Sequence, residues 1–308
     1  MVKRYSDRNN HPGLFKWATM NIINANNLAC PLDGLPLVTS DKQCVCPNGH
    51  SFDIARQSYI NLLPVQQKRS KHPGDSKEMV LARTAFLNSG AYAPIADKLN
   101  AISDELIADK PKQGLCLLDA GCGEGYYLEQ LLRSLHQMPA QQDVALIGLD
   151  ISKPAIIAAA KRSKQITWLI ASNRQPPLLA ASVDIIFCLF GFPAYESFKT
   201  LLKPAGKILL VESGPEHLLE LRTIIYPTVN QAPPPELAAA TAAGFCLRDE
   251  SRLRYRCTLD SSAQIMNLLT MTPHYFRASH EGKLAVSQLD RIEVTVDVVF
   301  RVLEQTTL

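Results

Sequence analysis

The feature that most constrains this chain is a glycine-rich turn directly after a short apolar run. Residues 117–127 read Leu-Leu-Asp-Ala-Gly-Cys-Gly-Glu-Gly-Tyr-Tyr, with glycines at the alternate positions 121, 123 and 125. Glycine lets a backbone turn tightly and approach a ligand that a Cβ atom would exclude. The turn therefore predicts a cofactor site between a buried strand and a helix.

The spacing of this turn distinguishes between cofactors. Dinucleotide-binding proteins use Gly-x-Gly-x-x-Gly, whereas this turn is Gly-x-Gly-x-Gly and has Asp119 just before it. The pattern favours S-adenosylmethionine over NAD. Asp119 is placed to meet the ammonium group of that cofactor, directly or through water, and Gly121 and Gly123 leave room for its methionine part. Gly125 completes the predicted turn.

A second acidic residue, Asp150, ends the next apolar run, in Gly-Leu-Asp-Ile-Ser. A carboxylate at this position can accept hydrogen bonds from both ribose hydroxyls of a nucleoside. The alternative is that Asp150 only caps the following turn. Ser172 and Asn173 follow the third run, where related enzymes often contact adenine, although Ser-Asn is also ordinary turn chemistry.

Strand and helix patterns alternate through the second half of the chain. The apolar runs predict buried strands over Leu115 to Ala120, Val144 to Asp150, Ile166 to Ala171, Val183 to Leu189 and Gly206 to Glu212. Helical spacing between them predicts helices over residues 127–135, 154–163 and 195–202. This alternation implies a parallel, doubly wound sheet. Residues 252–259 and 291–302 alternate polar with apolar, as half-exposed antiparallel strands do, and that finish is typical of methyltransferases.

A cluster of cysteines near the amino terminus is the second chemical signal. Cys30-Pro-Leu-Asp33 and Cys46-Pro-Asn-Gly-His50 look like the two knuckles of a small zinc module. The segment has little room for a hydrophobic core, so it needs another stabilising element, such as a metal. Asp33 stands where a cysteine would be expected, and either Asp33 or Cys44 could complete the ligand set. The alternative is a metal-free segment that is held by packing.

A polar stretch over residues 64–77 has no periodicity and contains prolines and a glycine, so it predicts a loop. Its Lys68, Arg69 and Lys71 are candidates to contact RNA phosphates, although short charge runs are also common on any surface. Helical spacing over residues 78–87 and 91–106 predicts two helices after the loop.

These patterns divide the chain into four parts. We predict a flexible amino-terminal extension over residues 1–28, a zinc-ribbon-like module over 29–64, a basic loop with linking helices over 65–110, and an S-adenosylmethionine-dependent methyltransferase domain over 111–308. The predicted fold class is α/β: a Rossmann-like class I methyltransferase with a mostly parallel seven-stranded sheet and antiparallel carboxyl-terminal strands, preceded by the small module.

Composition and charge indicate the cellular location of the protein better than its function. The 32 Lys and Arg residues against 29 Asp and Glu leave a net charge of +3, too small to identify a nucleic-acid binder by itself. No apolar run reaches the roughly 20 residues that a membrane-spanning helix needs, and no secretory signal is recognisable. We expect a cytoplasmic protein with no membrane partner, and a homodimer is compatible with the sequence.

The motifs resemble those of the bacterial large-subunit ribosomal RNA guanine-N1 methyltransferase family, RlmA. The similarity runs from Cys30 to about Phe276 and includes Asn-Leu-Leu-Pro-Val-Gln at 61–66, Lys-Arg-Ser at 68–70 and Pro-Gly-Asp-Ser at 73–76, besides the cysteine knuckles and the glycine turn. The amino-terminal strings are distinctive, whereas the glycine turn alone would identify only the superfamily.

The resemblance implies a site and a substrate. It implies that Tyr92, Gly123, Glu124 and His217 contact the cofactor, and that Cys30, Asp33, Cys46 and His50 stand on the zinc-ligand positions, with Asp33 replacing the family's cysteine. It also implies that the module helps to dock a hairpin of 23S ribosomal RNA, and that the product is 1-methylguanosine.

The predicted chemistry requires an extruded or unpaired base, because guanine N1 lies on the Watson–Crick edge. Phe190 and Phe192 follow the fourth strand, where they could stack on that base or belong to the core. No catalytic base can be assigned from the sequence. Two alternatives remain at this stage: a methyltransferase of small molecules, and an RNA-binding protein without methylation activity.

Overall fold

The computed structural model describes residues 20–68, 70, 73–110, 114–138, 142–229, 231 and 233–306. The strands are β1 (Asn21–Ile23), β2 (Val38–Thr39), β3 (Gln43–Val45), β4 (Ser51–Asp53), β5 (Tyr59–Asn61), β6 (Leu115–Ala120), β7 (Asp143–Asp150), β8 (Thr167–Ile170), β9 (Val183–Leu189), β10 (Leu202–Ser213), β11 (Phe245–Leu259) and β12 (Ile292–Gln305). The helices are α1 (Lys77–Asn88), α2 (Ala93–Ala108), α3 (Tyr126–Leu135), α4 (Lys153–Arg162), α5 (Tyr195–Leu201), α6 (Leu219–Ile225), α7 (Ala238–Ala242), α8 (Ser262–Thr270), α9 (His274–Arg277) and α10 (His280–Ser287), with a 3-10 turn over Val65–Gln67.

The main sheet has nine strands in the order β11-β12-β10-β9-β6-β7-β8-β5, and β1 pairs with β7 outside this order. Among the described pairings of this sheet, only the two that β12 makes, with β10 and β11, are antiparallel. The α/β class and the mostly parallel sheet with an antiparallel carboxyl-terminal strand are therefore confirmed. The strands β6 to β12 are the seven that the sequence predicts, and β1 and β5 widen the sheet beyond that prediction.

The central strands form where the sequence is almost entirely apolar: Asp119 is the one charged residue of β6 and Asp184 is the one charged residue of β9. All residues of β6 and β9 are buried, as expected for parallel strands that are covered by helices on both faces. Their side chains alternate between two cores: Leu117 belongs to the core on one face and Leu118 to the core on the other. This sheet fixes the positions of the loops at its carboxyl edge.

The amino-terminal region differs from the predicted boundaries. A flexible extension up to residue 28 is wrong from residue 20 onwards, because β1 pairs with β7 and Leu28 forms a bridge with Leu178 and is buried. Residues 1–19 of that prediction lie outside the described residues. The strands β2, β3 and β4 form a separate small sheet, whereas β5 pairs with β8 at the edge of the main sheet. The end of the predicted module, up to residue 64, thus joins the main sheet.

The small sheet packs directly on the main one. Cys30, Leu37, Cys44 and Cys46 are buried in the same core as Leu118 of the central strand β6. Two linking helices, α1 and α2, follow as the sequence predicts. The Ser76 side chain caps α1 by accepting a hydrogen bond from Met79 N at 3.2 Å. Across the described ranges, every helix is too short or too polar to cross a membrane.

Candidate functional site

The carboxyl edge of the strands β6 to β10 opens onto one cavity of about 1250 Å³. Seven of the eight predicted cofactor residues line it: Tyr92, Asp119, Gly121, Gly123, Glu124, Asp150 and His217. Gly125 lies behind the lining. With a φ of 83°, its ideal Cβ position would be 2.7 Å from the Trp168 ring and 2.9 Å from Ala159, so this glycine permits close packing rather than ligand approach.

The glycine turn is anchored to the end of the neighbouring strand β7. Gly121 N donates to Leu149 O at 2.8 Å, and Gly123 N donates to the Asp150 carboxylate at 2.9 Å. Both glycines have a positive φ, 94° and 56°, which L side chains rarely adopt. The backbone of the turn is therefore held in position before any ligand binds.

Asp119 is almost fully buried below the turn, and its Oδ1 has no hydrogen-bond donor among the described residues. Burial, together with the nearby Asp150 carboxylate, raises the pKa of Asp119 to about 8. A buried carboxyl group without a partner is costly to ionise, so a cation placed beside it would be strongly favoured.

The Asp150 carboxylate accepts two backbone hydrogen bonds, one per oxygen, from Gly123 N and from Ser152 N at 2.7 Å. Burial raises its pKa, and the two backbone donors oppose that effect. Each carboxylate oxygen has a second lone pair, so these contacts orient Asp150 without using its whole accepting capacity.

Glu124 forms an ion pair with Arg162, whose Nη1 also donates to Glu129 at 2.9 Å. Glu124 Oε1 is buried and has no donor in the described part of the chain. Burial raises the pKa of Glu124 against the influence of Arg162. One oxygen of this predicted cofactor residue therefore serves the fold, while the other lacks a partner.

Tyr92 and His217 are 125 positions apart in the sequence and meet in the cavity wall, with Tyr92 Oη 3.3 Å from His217 Nε2. Burial lowers the pKa of His217 to about 4, so the ring is neutral at neutral pH. Asp297 N donates to His217 Nδ1 at 3.3 Å. The ring proton must then be on Nε2, from which it points to Tyr92.

Three buried acceptors around the cavity show which hydrogen-bond donors a ligand such as S-adenosylmethionine would need to supply. The oxygens without a described donor are Asp119 Oδ1, Glu124 Oε1 and Asn173 Oδ1. The cofactor offers matching donors in its ammonium group, ribose hydroxyls and adenine amino group. Because orphaned buried acceptors are rare in folded proteins, their convergence fits a ligand that is rich in donors.

Arg83 of α1, which no sequence pattern singled out, lines the same cavity. Arg83 forms an ion pair with Asp75 and donates to Met271 O at 2.8 Å. Its Nη1 would be 3.4 Å from a Cβ at Gly123. An arginine on an amphipathic helix is typical of solvated surface, so no sequence signal pointed to this position.

The aromatic residues after β9 differ in exposure. Phe190 lies 6.0 Å from His217 between ring centroids, at an interplanar angle of 26°, and is 40% exposed. Its φ of 51° is unusual for a residue with a side chain. Phe192 is 92% exposed. Both line the cavity, so both remain candidates for stacking on a base.

The second candidate site brings together Cys30, Asp33, Cys46 and His50, whose donor atoms all lie within 4.8 Å of one another. His50 Nδ1 is 3.5 Å and 3.4 Å from the two sulfurs and 3.0 Å from Asp33 Oδ2. Zinc–ligand bonds of roughly 2.0–2.3 Å at tetrahedral angles separate donor atoms by roughly 3.3–3.8 Å. The donor set and the nitrogen–sulfur distances fit a tetrahedral zinc ion, and the nitrogen–oxygen distance of 3.0 Å is slightly shorter than that range.

Asp33, rather than Cys44, joins the other three residues of this cluster. Cys44 is fully buried, and its sulfur lies 3.4 Å from Thr39 Oγ1. A backbone hydrogen bond from Leu35 is the largest influence that lowers the pKa of Asp33, so this residue offers an ionised oxygen. The geometry thus separates the two alternatives that the sequence left open.

Of the predicted RNA contacts, Lys68 is exposed directly after the 3-10 turn. Arg69 and Lys71 lie outside the described residues.

A parallel sheet with a glycine turn, a preceding acidic residue and a second acidic residue at the end of the next strand defines the class of S-adenosylmethionine-dependent methyltransferases. Comparison with known families agrees: residues 117–209 match the family described as "Methyltransferase domain", and residues 28–71 match "RlmA, N-terminal", a zinc ribbon.

Curated relatives make the assignment more specific. The chain is 31% identical over 280 residues to the 23S rRNA (guanine(748)-N(1))-methyltransferase of Streptomyces fradiae, covering 89% of this chain and 95% of the relative. It is also 31% identical over 284 residues to a Bacillus subtilis protein to which 23S rRNA (guanine-N(1)) methylation is ascribed, covering 90% and 96%. The chain therefore belongs to the 23S rRNA (guanine-N1-)-methyltransferase family of the RlmA type, and the resemblance is confirmed.

Proposed function

We propose that this protein transfers a methyl group from S-adenosylmethionine to N1 of a guanine in a hairpin of 23S ribosomal RNA. The observation that carries the proposal is a single cavity that combines an aromatic rim with three buried acceptors for which the described residues supply no donor. The names of the relatives supply the substrate class. Ribosomal RNA as the substrate agrees with the cytoplasmic setting that the sequence predicts.

The proposed cofactor contacts follow from the orphaned acceptors. Asp119 Oδ1 accepts a hydrogen bond from the ammonium group of the cofactor. Asp150 accepts hydrogen bonds from the ribose hydroxyls, and Asn173 accepts one from the adenine amino group. Glu124, Tyr92 and His217 complete the wall. The bound cofactor supplies a methyl group on a sulfonium, which needs no further activation. The task of the protein is to hold guanine N1 in line with the methyl carbon and to exclude water.

The target base must leave its helix to reach the cavity, because paired N1 is inaccessible. The exposed ring of Phe192 and the half-exposed ring of Phe190 provide stacking surfaces for an extruded base. Stacking of this kind is tolerant of sequence, so the choice of guanine depends on the RNA shape and on polar groups in the cavity.

The four-residue cluster holds a structural zinc ion in this proposal. Cys30, Asp33, Cys46 and His50 occupy all four positions of a tetrahedral site, which leaves none for a substrate. The ion stabilises the small sheet, which together with Lys68, Arg69 and Lys71 docks the RNA hairpin. It takes no part in methyl transfer.

Nucleoside analysis tests the proposal. The protein is incubated with unmodified 23S ribosomal RNA and labelled S-adenosylmethionine, and the RNA is digested and examined by mass spectrometry. We expect label in 1-methylguanosine. Label at N2, at N7 or on ribose would reject the position while keeping the enzyme class, and label in small metabolites but not in RNA would reject the RNA substrate.

A further inference from the structure

Methylation of guanine at N1 requires a proton acceptor, because N1 carries a hydrogen in the neutral base. The acceptor must reach the part of the cavity beside the aromatic rim. Six carboxylate residues of the described chain line the cavity: Asp75, Asp119, Glu124, Asp150, Glu196 and Glu212.

Most of these carboxylates are committed elsewhere. Asp75 lies just before α1 and is in an ion pair with Arg83. Asp119, Glu124 and Asp150 are assigned to the cofactor in the proposed function. Glu196 is solvent-exposed in the first turn of α5. Glu212 is the remaining one.

Glu212 stands next to the aromatic rim. It precedes the last residue of β10, and the preceding residue, Val211, pairs with Leu189 of β9. Phe190 N donates to Val211 O at 2.8 Å. The strand pairing therefore fixes Glu212 close to the backbone of the residue whose ring is proposed to stack on the base.

The Glu212 carboxylate is oriented through one oxygen. Arg301 Nη1 donates to Glu212 Oε2 at 2.8 Å, and Arg301 also donates to Glu250 Oε2 and to Pro235 O, each at 2.8 Å. In the described part of the chain, Arg301 is the sole hydrogen-bond donor to Glu212. Oε1 is thus left to accept from another molecule, on a side chain that is 17% exposed.

Charged and titratable groups surround Glu212 from several elements. Arg301 on β12 and Glu250 on β11 act in opposite directions on its ionisation, and burial outweighs them, so the pKa of Glu212 is raised. Tyr195 on α5 and Cys188 on β9 face it as well, and both have a pKa raised to about 12, so they stay neutral. A carboxylate with a raised pKa accepts protons better than an ordinary one.

His217 is a poorer candidate despite its place in the wall. Its Nδ1 accepts the Asp297 amide proton, and its Nε2 carries the ring proton. The neutral ring therefore has no lone pair left for guanine. His274, farther along the cavity lining, has its Nδ1 2.8 Å from Tyr226 Oη. The pH profile of Glu212→Gln distinguishes His274 from Glu212 as the base.

We propose that Glu212 is the general base of methyl transfer, with Oε1 accepting the N1 proton of guanine while Arg301 holds Oε2. The electron pair of the N1–H bond stays on nitrogen and forms the bond to the methyl carbon. The carbon–sulfur electron pair leaves with sulfur, which becomes a neutral thioether. Glu212 then releases its proton to solvent. The assignment rests on the proposed function.

The test compares Glu212→Gln with Glu250→Gln, a matched control that removes the other carboxylate partner of Arg301 outside the cavity. Single-turnover methylation of the RNA hairpin is measured across pH, and cofactor affinity is measured by calorimetry. For Glu212→Gln we expect a rate decrease of roughly 10²-fold or more with cofactor affinity unchanged. Glu250→Gln should keep the wild-type rate at neutral pH and retain an acid limb, moved to lower pH because Glu250 contributes to the raised pKa of Glu212.

The pH profile separates a base from a structural group. In wild type the rate should fall on acidification, as Glu212 becomes protonated, and in Glu212→Gln this acid limb should disappear. An acid limb that persists in Glu212→Gln, or a rate equal to wild type, would overturn the assignment and indicate His274 or solvent. Wild-type protein that does not methylate guanine N1 would instead refute the proposed function.

Discussion

The cavity and the cysteine cluster gather polar groups in opposite ways. The cavity, at the carboxyl edge of a nine-stranded sheet, holds buried acceptors that have no donor among the described residues, and the core of the sheet fixes them in place. The cluster holds four donor atoms within 4.8 Å of one another, in turns beside short strands that have little core of their own. In the cavity, the fold holds the site in place, and these buried acceptors lower the free energy of unfolding. In the cluster, the metal site is expected to stabilise the fold.

Metal removal tests whether the cysteine cluster stabilises the small sheet, and we expect it to have the largest effect on stability. Structural zinc contributes apparent binding free energies of about 10–16 kcal/mol in small modules. Chelation, or Cys46→Ser, should therefore expose the amides of residues 38–53 to hydrogen exchange while β6 and β9 stay protected. Cys44→Ser is the control, because Cys44 lies outside the cluster and its replacement should leave one zinc per chain. A protected small sheet without metal would show that packing alone holds it.

Asp119→Asn tests whether the buried acceptors of the cavity reduce the stability of the fold. The folded-state pKa of about 8 exceeds the ordinary value of 3.8, so the folded protein retains a proton that the unfolded chain has released. Stability is therefore complete below pH 3.8, declines as the pH rises to about 8, and is constant above. The variant should lack this decline and gain a few kcal/mol at alkaline pH.

The same substitution should abolish most of the affinity for S-adenosylmethionine, because the ammonium group loses its charged partner. Denaturant titrations at pH 5 and pH 9, combined with calorimetry, measure both effects. Equal stability of the two proteins at both pH values would contradict the proposed cost of Asp119. Unchanged affinity would remove Asp119 from the cofactor site.

The basic loop gives a smaller effect on RNA binding. Replacing Lys68, Arg69 and Lys71 by Ala should flatten the dependence of log K on log salt by roughly 0.7–0.9 for each phosphate interaction that the substitutions remove. Lys161→Ala is the control for Lys68→Ala, because Lys161 is exposed in the last turn of α4, away from the basic loop in the sequence. The same slope in Lys68→Ala and Lys161→Ala would assign Lys68 to ordinary solvated surface.

Local patterns predicted the elements whose burial is continuous. The bounds of β6 and β9 agree with their apolar runs, because strands covered on both faces consist mainly of apolar residues. The turn around Gly121 and Gly123 was predicted for a similar reason, since its backbone conformation demands glycine. Local chemistry is sufficient to identify such features.

Features that depend on distant partners could not be predicted. The strands β1 and β5 have three residues each and form only because β7 and β8 offer an edge. Arg83 and Glu212 reach the cavity through the packing of α1 and the register of β10, and neither has a local motif. Family resemblance assigned Tyr92 and His217 to the cofactor site, but their contact with each other was not predicted, because no spacing pattern spans 125 residues.

We propose that the cavity binds the methyl donor and that the amino-terminal module binds the RNA. Steady-state methylation of the RNA hairpin by Cys46→Ser, with both substrates varied, tests it most directly. We expect a raised KM for RNA, with the KM for S-adenosylmethionine and kcat close to those of wild type. A decrease in kcat or in cofactor affinity, with the KM for RNA unchanged, would contradict that division.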